Sequence, residues 1–189
     1  MNATELLLNR FSLPPKLMSD QTVRAEQLDQ LLTAGMTAPD HGRLQPWRFL
    51  LIEGDARQTL GDVMVAGLAL RDPAADDVAK EALRLKPLRA PTIIAVIAVK
   101  TEGNPKVPVA EQVLTAGLAG NNIILMAQAI GLGAIWLTGA PATDPHVLAH
   151  LGVGEGEELV GFVYVGHPAP DTRMPSPRRK DWRDITTRA

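Results

Sequence analysis

Eight consecutive residues, Thr92-Ile93-Ile94-Ala95-Val96-Ile97-Ala98-Val99, carry no charge and are mostly β-branched. A half-exposed strand alternates apolar and polar residues. An unbroken run of this kind fits a strand covered on both faces. The rest of the chain must then supply the layers that cover it.

The next segment is equally restrictive. Val107 to Ile130 reads as one long helix with Pro108 near its start and Glu111 as its only charge. A helix apolar nearly all round is buried. About 20 residues could also span a membrane. Glu111, Gln112, Asn121, Asn122 and Gln128, with no basic flanks close by, favour a central core helix instead. Ala116, Gly117 and Gly120 would let another backbone approach closely.

The remaining elements follow from punctuation and period. Asn2 with Glu5 forms a capping-box start for a helix over Ala3–Phe11. Leu28, Leu31, Leu32 and Met36 make one stripe on a helix over Val23–Met36, stopped by Pro39. Arg48–Ile52 reads as a strand, Ala56–Leu70 as a helix, and Asp72 to Leu85 as a charged surface helix. Ala134–Thr138 and Leu159–Val165 are further strands around a short helix over Pro145–Leu151. Helices with three or four strands imply an α/β or α+β layered fold, and 189 residues imply one domain, residues 1–189.

Charge and composition exclude several classes. A net charge of -2 gives no basic surplus for a nucleic-acid backbone or an anionic membrane. The absence of cysteine removes disulfides, thiolate nucleophiles and metal–thiolate centres. The N-terminus lacks the pattern of a signal peptide, so a cytoplasmic location is expected. His146 and His150 lie four apart, without the glutamate of a His-Glu-x-x-His motif; a solvated helix face is expected there, and no metal.

Three stretches carry candidate chemistry. Asn9-Arg10-Phe11-Ser12 places a guanidinium and a hydroxyl side by side, which suits a phosphate but also suits a simple helix end. Ala38 to Phe49 is a polar loop between Pro39 and Pro46, holding His41 and running into a strand. Gly131-Leu132-Gly133 follows a helix and precedes a strand, the reverse of a dinucleotide fingerprint, and reads as a helix C-cap.

Taken in order, Asn9-Arg10-x-Ser12, Ala38-Pro39 with Gln45-Pro46-Trp47-x-Phe49, Gly131-Leu132-Gly133-Ala134-Ile135-Trp136-x-x-Gly139, and Gly166-x-Pro168 resemble the nitroreductase family. Asp40-His41 and Val107-Pro108 resemble its smallest bacterial NAD(P)H nitroreductases.

The resemblance implies an α+β fold: a three-layer α/β/α sandwich with a mostly antiparallel central sheet. It implies a homodimer with two FMN molecules at the subunit interface, the long helix forming the dimer core. Arg10 and Ser12 would hold the phosphate and ribityl side, with the Phe11 backbone beside them. Thr37 and His41 would reach the flavin of the partner chain. Trp136, Leu137 and Thr138 would line the isoalloxazine through backbone and hydroxyl contacts. Lys16 is the cation assigned to reduced flavin, and Arg178 or Arg179 would close on the phosphate. Gln45, Pro46 and Trp47 would shape or pack the loop.

The implied activity is ping-pong hydride transfer from NADH or NADPH, through FMN, to a small electron-poor acceptor such as a nitro compound or quinone. The alternatives are a flavin carrier, or another flavin chemistry on the same scaffold: dehalogenation, oxidation or flavin breakdown. Segment 72–85 would border the site entrance.

Overall fold

The computed structural model describes residues 2–174 and 179–188. Its chain order is α1 (Ala3–Asn9), α2 (Ala25–Gly35), β1 (Trp47–Glu53), α3 (Asp55–Arg71), α4 (Asp77–Arg84), β2 (Thr92–Val99), α5 (Val109–Ala129), β3 (Gly133–Leu137), α6 (Ala140–Thr143), α7 (Pro145–His150) and β4 (Glu157–Gly166). Short 3-10 turns sit at Pro15–Leu17, His41–Arg43, Pro87–Arg89 and Trp182–Ile185.

The four strands form one sheet in the order β1-β2-β4-β3, with every pairing antiparallel. β2 is therefore interior, flanked by β1 and β4. Its residues are buried from Thr92 to Ala98, as the unbroken apolar run requires. The two-residue period sorts them. Ile93, Ala95 and Ile97 face a core shared with Leu60 and Met64 of α3, Leu83 of α4 and Val147 of α7. Ile94 and Val96 face Leu31 of α2 and Ile123, Ile124 and Ala127 of α5. Helices thus cover both faces, giving the α+β antiparallel sandwich.

Local rules fix the boundaries. Asn2 accepts from the Glu5 amide at 2.9 Å, and Glu5 Oε2 accepts from the Asn2 amide at 3.0 Å, which closes the capping box of α1. The helix stops at Asn9, two residues before the expected Phe11, because Arg10 is extended (φ -56°, ψ 133°). At the end of α5, Gly131 takes φ +82° and the Leu132 amide donates to Ala127 O at 2.8 Å, so the glycine is a C-cap.

Two expectations change. α5 is not buried all round: its sheet-facing side is covered, while Leu114 and Leu118 are exposed. And Gly120 makes room not for a backbone but for an indole. A Cβ on Gly120 or on Gly161 of β4 would fall inside the Trp136 ring, so this pair of glycines forms the slot that holds it. Between Val96 and Ile97 the β2–β4 register slips, leaving Val160 as an extra residue beside that slot. No helix among the described residues is long and apolar enough to cross a membrane, and no group of three potential metal ligands occurs there, at His146 and His150 or elsewhere.

Candidate functional site

The turn after α1 is pinned from two sides. The Phe11 amide donates to Gln128 Oε1 of α5 at 3.2 Å, and the Leu13 amide donates to Ala134 O of β3 at 3.0 Å. Leu13 is fully buried and packs so tightly on Gly133 that no side chain fits there. With Phe11 and Leu13 turned inward, the two-residue period of extended chain leaves Arg10 half-exposed and Ser12 exposed on the other side. The Arg10 guanidinium and the Ser12 hydroxyl have no partner among the described residues. Arg179 braces the same turn, donating to Leu8 O at 2.7 Å and to Arg10 O at 3.0 Å. Arg178 lies outside the described residues.

A pocket of about 280 Å³ opens at one end of the sheet. Leu137 and Thr138 from the end of β3, with Phe162 and Tyr164 of β4, form its wall. Pro15 and Pro141 border it, and Lys86 and Arg89 stand on the 3-10 turn leading into β2. Neither cation has a side-chain partner among the described residues. Some cations elsewhere are paired, as in Arg48–Glu157, Arg71–Asp144 and Arg84–Asp62. Burial pushes the Tyr164 hydroxyl up to about 12, with Arg89 pulling the other way, so this phenol stays protonated at neutral pH and can donate.

The predicted residues divide among these places. Leu137 and Thr138 share the pocket. Trp136, between them and α5, turns its indole to the opposite face of the sheet. Lys16 is exposed beside Pro15. Sequence reasoning missed Lys86, Arg89 and Tyr164. The usable signal was two cations around a proline, Lys86-Pro87-Leu88-Arg89, immediately before the most buried strand.

Thr37 and His41 lie on the α2–β1 connection. Thr37 Oγ1 donates to Ala34 O at 2.8 Å and accepts from Asn122 Nδ2 of α5 at 3.2 Å. The loop beyond it carries three positive φ values: Gly42 at +79°, Arg43 at +56° and Gln45 at +46°. Asp40 Oδ2 latches it by accepting from the Gln45 amide at 2.7 Å. Trp47 packs, buried, with Nε1 donating to Met36 Sδ at 3.4 Å. His41 Nδ1 lies 2.9 Å from Glu111 Oε2 in the first turn of α5. Gln128, which holds the Arg10 turn, is 17 residues further along that helix, about 25 Å at 1.5 Å per residue. His41 and Arg10 therefore occupy opposite ends of α5.

Comparison with known proteins places this arrangement. The chain is 42% identical over 168 residues to the Escherichia coli K12 protein named "Putative NAD(P)H nitroreductase YdjA", covering 89% of each chain. The nitroreductase-like family protein from Bacillus cereus has the same fold, with a TM-score of 0.85 at 21% identity, over 100% of this chain and 96% of that one. A nitroreductase with bound FMN from Bacteroides fragilis NCTC 9343 superimposes with a TM-score of 0.71 at 22% identity, over 96% of both chains. The sequence pattern of one family spans residues 10–167, from the Arg10 turn through both walls of the pocket to the end of β4, and by that match the chain belongs to the nitroreductase family.

Proposed function

We propose that this protein is an FMN-dependent oxidoreductase that takes electrons from NADH or NADPH and passes them to small electron-poor acceptors, nitro compounds or quinones, as a homodimer. One observation carries the reading: cations and hydroxyls without partners among the described residues border a pocket with aromatic and aliphatic walls, and Arg10 and Ser12, likewise without partners there, stand on the segment that runs on to Pro15 at its border. The residues present fit FMN, whose flat apolar ring system and phosphate ask for those two environments. The Bacteroides fragilis relative is described with bound FMN.

Each residue then has a physical task. Arg10 and Ser12 supply a charge-assisted fork and a hydroxyl to the phosphate. Leu137 and Thr138 line one face of the ring system. Lys86 and Arg89 hold positive charge at the pocket edge, where reduced flavin would carry negative charge. All three of Lys16, Lys86 and Arg89 are exposed, but only Lys86 and Arg89 line the pocket. When bound, FMN supplies hydride transfer between donor and acceptor, which use one site in turn in a ping-pong order. The protein positions the reactants and sets the field.

The same geometry supports the dimer reading. His41 and Arg10 sit at opposite ends of α5, so His41 serves a flavin held by the partner's cradle. Leu114 and Leu118 of α5, with Leu7 and Leu8 of α1, leave exposed apolar side chains for a second copy to cover.

The test is the visible spectrum of the purified protein after FMN addition and desalting, repeated anaerobically with NADPH or NADH. Retained flavin that bleaches, then recovers with a quinone or nitro compound, is the expected result. Retained flavin that neither donor bleaches would replace this reading with a flavin carrier, and no retained flavin would remove it.

A further inference from the structure

Besides its apolar, sheet-facing side, α5 carries polar residues with defined partners. Three of them reach toward segments that carry candidate flavin contacts. Gln128 holds the Phe11 amide, Asn122 holds Thr37, and Glu111 holds His41. A fourth, Gln112, is fully buried. It donates to Thr101 O and Val107 O, both at 3.0 Å, and accepts from the Thr101 amide at 2.8 Å. Val107 in turn lies against Gly42, where a Cβ would sit 3.0 Å from Val107 Cγ2. The first turn of α5 thus supports the His41 loop twice, directly through Glu111 and indirectly through Gln112 and Val107.

Two features mark the Glu111 contact as more than incidental. The loop keeps Arg43 and Gln45 in left-handed conformations that L residues seldom adopt, and such strain gathers where a group must be held in place. The bond also fixes the ring's chemistry. An ionised carboxylate only accepts, so His41 Nδ1 carries the hydrogen and donates it to Glu111. Nε2 is then the ring atom left free.

Resting on the flavin reading above, we propose that Glu111 is a positioning residue: it fixes the His41 ring and its tautomer so that Nε2 is the atom offered to the flavin bound at the partner protomer. Within one protomer the pair contributes little to folding, since there His41 is 60% and Glu111 47% exposed, and exposed pairs are weak. Position and stability can therefore be separated by experiment.

Full-length wild type, Glu111→Ala, Glu111→Gln, His41→Ala and the Glu111→Ala/His41→Ala double variant are stripped of flavin and titrated with FMN, following quenching of flavin fluorescence. Imidazole 15N shifts report the His41 tautomer, and thermal melts of the flavin-free proteins report folding. Glu111→Ala and His41→Ala should each weaken FMN binding about tenfold, the scale of one hydrogen bond to a charged group. The double variant should be no weaker than either. Glu111→Gln, whose amide oxygen still accepts from Nδ1, should recover most of the loss. Melting temperatures should stay together, and the Nδ1–H tautomer signal should be lost only in the alanine variants. FMN binding unchanged in Glu111→Ala, or additive losses in the double variant, would overturn the proposal while the flavin reading stood. Wild-type protein that binds no FMN would overturn both.

Discussion

Arg48 of β1 and Glu157 of β4 meet across the interior strand in a two-point ion pair. Arg48 Nε lies 2.6 Å from Glu157 Oε1, and Nη2 lies 2.7 Å from Oε2. Nη2 also donates to Gly152 O at 2.8 Å, and Oε2 accepts from the Gly154 amide at 3.0 Å. The clasp ties three strands and the α7–β4 loop together at one end of the sheet. Its main hydrogen bond, from Arg48, holds the Glu157 carboxyl down at about 2. A carboxyl lowered on folding gives stability that is present above its unfolded value near 4.5 and is lost as pH falls toward 2. Wild type should therefore lose more stability than Glu157→Gln between about pH 5 and pH 2. At pH 7 the variant should be about 1–2 kcal/mol less stable, a bidentate pair exceeding an ordinary surface pair. Urea melts at pH 7 and pH 3 check this; parallel losses in both proteins would assign the acid sensitivity elsewhere.

The Trp136 slot gives a packing prediction. A methyl group on Gly120 collides with the outer ring of the indole, so Gly120→Ala should destabilise the fold by about 1–3 kcal/mol. Phenylalanine lacks that outer ring. Trp136→Phe should therefore restore part of the loss when combined with Gly120→Ala, although it costs stability alone by leaving a cavity. Additive losses in this double-mutant cycle would mean the two residues do not share the clash.

Much of this fold was legible in the sequence because the deciding signals are local. Pro91 and Lys100 bracket an uncharged, mostly β-branched run, and β2 spans Thr92–Val99 as expected. Pro108 and Gly131 mark the two ends of α5. α6 was missed because one turn, Ala140–Thr143, is too short to show any period. The Arg10 turn and the His41 loop were singled out through the resemblance to the nitroreductase family, since residue type and spacing alone also fit a simple helix end and a surface histidine. The pocket was not: Lys86, Leu137 and Tyr164 come from three separate segments, and only the pairing of β4 with both β2 and β3 brings them together. Glu111 stood out as the lone charge of an apolar helix. That signal excluded a membrane span but did not identify His41 as its partner.

Arg10 offers the most direct test of the phosphate cradle. Its guanidinium has no hydrogen-bond or ion-pair partner among the described residues, so Arg10→Ala removes no polar contact there and should leave the melting temperature of the flavin-free protein close to wild type. FMN affinity should fall about 10–100-fold, the scale of a charge-assisted bond to phosphate. Riboflavin, which lacks the phosphate, should bind the wild type and the variant alike. An equal loss for both ligands would place Arg10 away from the phosphate.

Lys86 and Arg89 should act on the electrons rather than on affinity alone. Both cations stand at the pocket edge without side-chain partners among the described residues, so their field is available to whatever charge develops inside. Lys86→Met and Arg89→Met keep much of each apolar stem while removing the charge. Reduced flavin gains negative charge, so each substitution should weaken binding of the reduced form more than the oxidised form, making the midpoint potential more negative. A differential of about 1.4 kcal/mol corresponds to about 30 mV in a two-electron couple. Redox titration of the bound flavin measures the shift, and raised salt should shrink the difference wherever solvent reaches the charge. Unchanged potentials in both variants would leave the negative charge of reduced flavin to backbone dipoles, with the cations serving only to attract anionic ligands.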